Sequence, residues 1–293
     1  MKTFTNDPIK AGIWMMGAVV SFTLMAVAGR EVLHELDTFE VMTYRSIMGI
    51  LIVFFIAKYS GTLDEINIQN LSLHLIRNIT HFIGQNLWFF AVTAITLPQL
   101  FAFEFSVPIW VALFAPIFLS EKLTKRRLLA ALIGFIGILI VARPGDLGLN
   151  PGIIAAALCA ICFTGTGIAT KLLTRTQSIT CILFWLTVMQ AILGIICAGY
   201  DFDIQLPSSS TLPWVILIGV AGLTAHFCIT RALQLADAIV VYPMDFVRLP
   251  LATTVGVLFY SEPIQFLVFV GSAIILGANF LNIISEKTLS ETK

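Results

Sequence analysis

The chain has 293 residues, 58% hydrophobic and 12% charged, with seventeen basic side chains balanced by seventeen acidic ones and a mean hydropathy of +0.94. Soluble domains carry about a quarter charged residues, so the composition excludes a soluble globular enzyme, and zero net charge with scattered basic residues argues against a nucleic-acid partner. The lipid bilayer is the implied solvent, and apolar runs of about 20 residues satisfy their backbone groups there as helices rather than as short barrel strands.

In chain order such runs fall at 11–29, 39–58, 73–95, 98–119, 127–143, 152–170, 179–199, 212–231, 238–260 and 264–284. They are joined by turn-forming stretches such as Gly61-Thr62-Leu63-Asp64, Pro144-Gly145-Asp146 and Pro207-Ser208-Ser209-Ser210. Lys2, Lys10 and the run ending Ala26-Val27-Ala28-Gly29 resemble a cleavable signal peptide, but losing that run would break the repeat described next. With a cytoplasmic N-terminus, the inner segments hold Lys2, Lys10, Lys58, Arg77, Lys122, Lys125, Arg126, Arg127, Lys171, Arg175, Arg231, Lys287 and Lys293. The outer ones hold only Arg30 and Arg143, so both termini are expected in the cytoplasm of a multi-pass inner-membrane protein.

Sliding the sequence by about 141 positions lays Arg30 on Lys171, Glu104 on Asp245, and Ser120-Glu121-Lys122 on Ser261-Glu262-Pro263. This predicts a duplication, with a first repeat over 1–146 and a second over 147–293. Five spans per repeat is an odd number, so the second copy enters the membrane from the opposite side. The expected fold is all-α, ten transmembrane helices in two inverted five-helix repeats, an arrangement typical of secondary transporters with a site near mid-membrane.

Further residues carry a resemblance: the doubled repeat, Tyr44-Arg45 early in the second run, Ser-Glu-Lys and Ser-Glu-Pro closing the fourth and ninth, and Arg231-Ala232-Leu233-Gln234-Leu235-Ala236-Asp237-Ala238. On these the chain resembles the drug/metabolite transporter superfamily and, within it, the EamA-type ten-span proteins. The resemblance implies a small-metabolite carrier of the inner membrane with a cavity built by spans 3, 4, 8 and 9 and their neighbours. It leaves amino acids, riboflavin, S-adenosylmethionine and other metabolites open as substrates.

Ionisable groups in hydrocarbon are expensive, so they mark candidate function. Glu104 and Asp245 lie at matching depths, Arg248 sits one turn from Asp245 where an i,i+3 pair can form, and Arg45 lies inside the second run. These four charges cancel, which predicts internal pairing. Asn78, His81, Gln85 and Trp88 share one helix face; His226 matches Gln85 and Gly222 matches His81 by the repeat interval. Substrate binding or coupling is therefore assigned to Arg45, His81, Gln85, Trp88, Glu104, His226, Tyr242, Asp245 and Arg248. Arg248 would complement an anionic or carbonyl group, and Glu104 and Asp245 would take a cation or carry protons. Trp88, Trp110, Trp185, Tyr242 and Phe246 are candidates for stacking on a planar substrate. Pro108 and Pro250 are expected to interrupt the fourth and ninth spans as kinks or hinges.

Cys159, Cys162, Cys181, Cys197 and Cys228 all fall in apolar runs and predict no disulfides. Cys159-Ala-Ile-Cys162 lacks a second pair or a nearby His in the chain and is taken as packing, so no metal and no cofactor is expected. The leading reading is a secondary transporter using alternating access, with uptake of a planar aromatic such as riboflavin as the narrow expectation. Export of amino acids, an embedded enzyme with His81 or His226 as base, and a channel are the alternatives.

Overall fold

The computed structural model of the protein describes residues 7–95, 97–121, 124–142, 151–200, 202–261 and eight residues between 266 and 278. Its regular elements are helices: α1 Pro8–Val32, α2 Thr38–Tyr59, α3 Leu71–Ala94, α4 Leu97–Glu104, α5 Val107–Phe118, α6 Lys125–Ala142, α7 Pro151–Leu173, α8 Ile179–Ala198 and α9 Leu212–Leu235. A broken segment follows, made of α10 Ala238–Met244, a 3-10 turn Asp245–Val247 and α11 Arg248–Tyr260. No strand occurs among the described residues.

Helix starts follow local chemistry. Asp37 and Glu40 form a reciprocal cap at α2, each side chain accepting from the other's backbone N–H at 2.8 and 2.9 Å. Asp7 caps α1 and Ser178 caps α8.

Among the described residues six segments are long and apolar enough to cross a bilayer: α1, α2, α7, α8, α9 and the composite Ala238–Tyr260. Three further expected spans take other forms. α3 has 24 residues but carries a polar stripe, the fourth expected span is divided into α4 and α5, and α6 starts with Lys125-Arg126-Arg127 before its apolar stretch Leu128–Gly137. The expected span 264–284 lies outside the described residues except for eight positions. So do Lys2, Lys122, Arg143, the Pro144–Asp146 connection with the expected repeat boundary, Glu262, Pro263, Lys287 and Lys293.

Each expected interruption lies about one turn before its proline, where the missing proline N–H leaves the carbonyl four residues back, of Glu104 and of Phe246, without its intrahelical donor. The helix breaks after Glu104 and at Asp245, and the prolines fall in the first turn of α5 and of α11. The first N–H groups of a helix have no intrahelical acceptor, so proline costs little there. The break positions match across the 141-residue interval, whereas the prolines do not.

Packing runs between the halves of the chain: α1 lies chiefly against α9, α3 against α7, and α2 against α8. Lipid exerts little drive between apolar helices, so close approach relies on small residues at the crossings. A Cβ on Gly17 would meet Cys228 Sγ at 2.9 Å, and one on Gly49 would meet Thr187 at 2.6 Å. One on Gly84 would meet Cys162 and Phe163 at 2.9 Å. All five cysteines are free, and Cys162 takes the packing role expected of it. Large apolar side chains such as Ile13, Phe55, Ile76 and Ile196 point outward, the arrangement of a bundle solvated by lipid tails.

Candidate functional site

A cavity of about 750 Å³, its mouth included, opens between the halves. Its walls come from α1, α3, the α4–α5 break, α7, α9 and the broken segment after Ala238.

One end holds an ion cluster assembled from both discontinuities. Glu104 ends α4, Asp245 opens the 3-10 turn and Arg248 begins α11. Arg248 Nη2 donates to Glu104 Oε1 at 2.5 Å and to Asp245 Oδ2 at 2.6 Å, and Trp88 Nε1 donates to Glu104 Oε2 at 2.8 Å. The guanidinium carbon also lies 5.0, 5.0 and 5.2 Å from the ring centres of Phe22, Phe101 and Phe105, within cation–π range. Two carboxylates share one cation, so the cluster carries one excess negative charge when fully ionised. Asp245 Oδ1, Arg248 Nε and Arg248 Nη1 are buried without a hydrogen-bond partner among the described residues.

The middle of the cavity is aromatic and weakly polar. His81 on α3 and His226 on α9 meet edge to face with ring centres 4.6 Å apart, flanked by Phe163 and Phe22. Nε2 of each histidine and Nε2 of Gln85 lack partners among the described residues, so polar capacity there is unused.

The other end holds Arg77, one-hundredth exposed and lining the cavity with Thr166, Thr170 and Tyr242. Its Nε donates to Thr170 Oγ1 at 3.0 Å and its Nη1 to Asn78 Oδ1 at 3.2 Å, with no carboxylate in contact among the described residues. Arg77 and Trp88 are eleven positions apart on α3, which places the two ends about 16 Å apart along the helix at 1.5 Å per residue. Tyr242 fits because α7 carries glycine opposite it: a Cβ on Gly167 would lie 2.0 Å from the hydroxyl oxygen.

The structure therefore gathers His81, Gln85, Trp88, Glu104, His226, Tyr242, Asp245, Arg248 and Pro108 around one space. Arg45 lies outside the lining. Its Nη1 faces the sulfurs of Met25 and Met42 at 3.9 and 3.7 Å, and its head occupies the room left by Gly222. Pro250 lies beyond the break and off the wall. Of the aromatic candidates, Trp185 donates to Asn67 O at 2.8 Å, Trp110 donates to Ser106 Oγ at 3.2 Å, and Phe246 packs on Phe105; none of the three lines the cavity. The expected charge quartet still cancels, with Arg77 standing where Arg45 was expected.

Arg77, Thr166 and Thr170 are site residues that sequence reasoning missed. Arg77 was grouped with the inner loops because it lies early in its run. Its spacing of four to His81 and eight to Gln85 put it on the same face, and that was the available signal.

Near the tip of the α5–α6 connection, Glu121 accepts from the N–H groups of Ala238 and Ile239 at 3.0 and 3.2 Å and so caps α10. Burial pushes its carboxyl up from the ordinary range while those N–H donors pull it down. Close by, Lys171 Nζ donates to the carbonyls of Leu233 and Ala236 that close α9, at 2.7 and 2.6 Å.

The chain is similar to known proteins along most of its length. The family model described as the EamA-like transporter family matches residues 9–143 and again residues 150–284. An S-adenosylmethionine uptake transporter of Rickettsia felis is 24% identical over 98% of both chains. A riboflavin transporter of Brucella anthropi is 29% identical over 76% of this chain and 80% of its own. A pseudopaline exporter of Pseudomonas aeruginosa is 23% identical over 93% and 95%. A solved crystal structure covers 95% of this chain and 98% of its own at a TM-score of 0.76 and 18% identity, a likeness of fold. Matched twice along its length by one family model, this multi-pass chain belongs to the EamA-like transporter family.

Proposed function

We propose that the protein is a secondary transporter that carries a small organic metabolite through the cavity by alternating access. The observation that carries this is the Glu104–Arg248–Asp245 cluster, a buried ion group built where two broken helices from different halves meet beside an open space. A purely structural bundle would gain more from filling that space with apolar side chains.

The full architecture belongs to the same reading: ten spans in two inverted repeats, 1–146 and 147–293, with both termini in the cytoplasm of an inner membrane. The packing supports it. Exchanging the halves turns the pair of spans one and eight into the pair of six and three, and these are the α1–α9 and α3–α7 contacts. Such exchange is the symmetry that lets one cavity open to either side, with the breaks before Pro108 and Pro250 as hinge points.

Aromatic walls from Trp88, Phe105, Phe163 and Tyr242 support a flat substrate, and riboflavin uptake is the first specific reading. A second is S-adenosylmethionine, favoured by the separation of opposite charges along the cavity and by relatives that match over 98% of both chains. Asp245, with one oxygen unpartnered, is the proposed carrier of a coupled proton. The test is uptake of radiolabelled riboflavin and S-adenosylmethionine into proteoliposomes, with and without an imposed pH gradient. Saturable uptake of either supports the transporter reading, whereas flux that grows linearly with concentration would identify a channel. Uptake unchanged by the gradient and by a protonophore removes proton coupling alone.

A further inference from the structure

Arg77 has a role that neither the family match nor the names of the relatives supplies. It is a buried guanidinium that faces the cavity, and only two of its five donors are engaged, both by neutral oxygens. An arginine buried without a carboxylate is unfavourable by several kcal/mol unless a counter-charge arrives. Among the described residues none arrives: Glu104 and Asp245 are both committed to Arg248 at the opposite end.

The surroundings complete a receptor for an anion. Thr170 spends its own proton on the carbonyl of Thr166 at 2.7 Å and presents lone pairs to Arg77 Nε, which fixes the guanidinium plane and leaves its outer edge to the cavity. Tyr242 lines the same end, its hydroxyl set against Gly167, and adds a neutral donor. A fork of N–H groups beside a phenol matches a carboxylate or a phosphate oxygen pair.

We infer that the transported molecule bears a carboxylate or phosphate that docks on Arg77 and Tyr242, while its body lies along His81 and Trp88 toward Asp245. This rests on the transporter reading above and narrows its substrate class to molecules with an anionic group at one end. Asp245 Oδ1, an acceptor without a hydrogen-bond partner among the described residues, belongs to the ion cluster at the other end and is suited to a donor or cationic group there.

The test uses the full-length purified protein and three matched pairs of probes, each with the same aromatic body. They are S-adenosylmethionine and its decarboxylated form, flavin mononucleotide and riboflavin, and tryptophan and tryptamine. Affinities are read by ligand-induced shift of the melting temperature and by direct titration. The anionic member of at least one pair is expected to bind at least about tenfold more tightly, as a hydrogen bond to a charged group implies. Arg77→Gln should erase that preference, weakening the anion by about 10- to 100-fold while leaving its partner's affinity in place. Tyr242→Phe, which removes only the hydroxyl, should weaken the anion alone and by less. Arg77→Lys should restore part of the preference, and it stands in for the glutamine variant if that variant lacks a cooperative melting transition. Equal affinity within every pair, tighter binding only of the members that lack the carboxylate or phosphate, or loss of both members in Arg77→Gln overturns the inference and leaves the transporter reading standing. Saturable uptake of a cation with no anionic group does the same. Failure of all six probes to bind folded wild-type protein overturns the inference together with the aromatic-metabolite reading.

Discussion

Arg248 is in contact with both the buried Glu104 and the partly buried Asp245, so its removal and theirs have unequal consequences. Arg248→Ala leaves Glu104 and Asp245 facing each other without a counter-charge, a loss of about 3–5 kcal/mol for breaking a buried pair from one side. A clear fall in the melting temperature of the purified protein is the expected result. Asp245→Asn keeps the Arg248–Glu104 bond and should melt near the parent protein while lowering uptake by about tenfold or more, since a charged hydrogen-bonding group is lost from the wall. Parallel melting and proteoliposome uptake on the two variants check both. Uptake by Asp245→Asn at the parent rate would remove Asp245 from the transport path. At this scale the residue types were legible in the sequence, because acids, arginines and histidines in apolar runs stand out. Their partners were not: the contact between Glu104 and Arg248 spans 144 positions and depends on two helix breaks meeting.

At the scale of elements, apolar length and capping residues made most helices readable, and the pleasing match of both breaks to one repeat interval followed only once the turns were seen. The breaks fall about one turn before Pro108 and Pro250, the side on which a proline withholds its N–H from the carbonyl four residues back. The α2–α8 crossing offers a direct test of close packing. A Cβ on Gly194 would lie 3.1 Å from the backbone N and Cα of Thr43, and backbone cannot rotate away. Gly194→Ala should therefore cost about 1–3 kcal/mol, seen as a lower melting temperature. The connections are tied as well. Glu35 accepts from Ser208 N at 2.6 Å, from Ser208 Oγ at 2.7 Å and from Thr211 Oγ1, which clamps the α1–α2 turn to the segment before α9. The hydrogen bonds from Thr211 and then Ser208 hold its carboxyl below the ordinary 4.5. A lowered folded value means the clamp contributes above pH 4.5 and fades as pH falls through that value. The melting temperatures of the parent and of Glu35→Gln should differ at pH 7 and converge in acid.

For the whole molecule, the proposed ten-span topology predicts that alkaline phosphatase fused after Lys293 stays inactive and that a fusion in the segment between α8 and α9 is active. The reverse pattern would invert the orientation. Composition and spacing alone were enough to read the bilayer as solvent, the helical class, a 141-residue interval and ionisable groups within apolar runs. These are properties of local composition and spacing, which no partner can change. Tertiary structure decided that Arg77, and not Arg45, faces the cavity, that Arg248 is spent on two acids, and that the charges are separated toward opposite ends. Which face of a helix meets a void depends on the neighbours packed against its other faces, and those neighbours come from the far half of the chain.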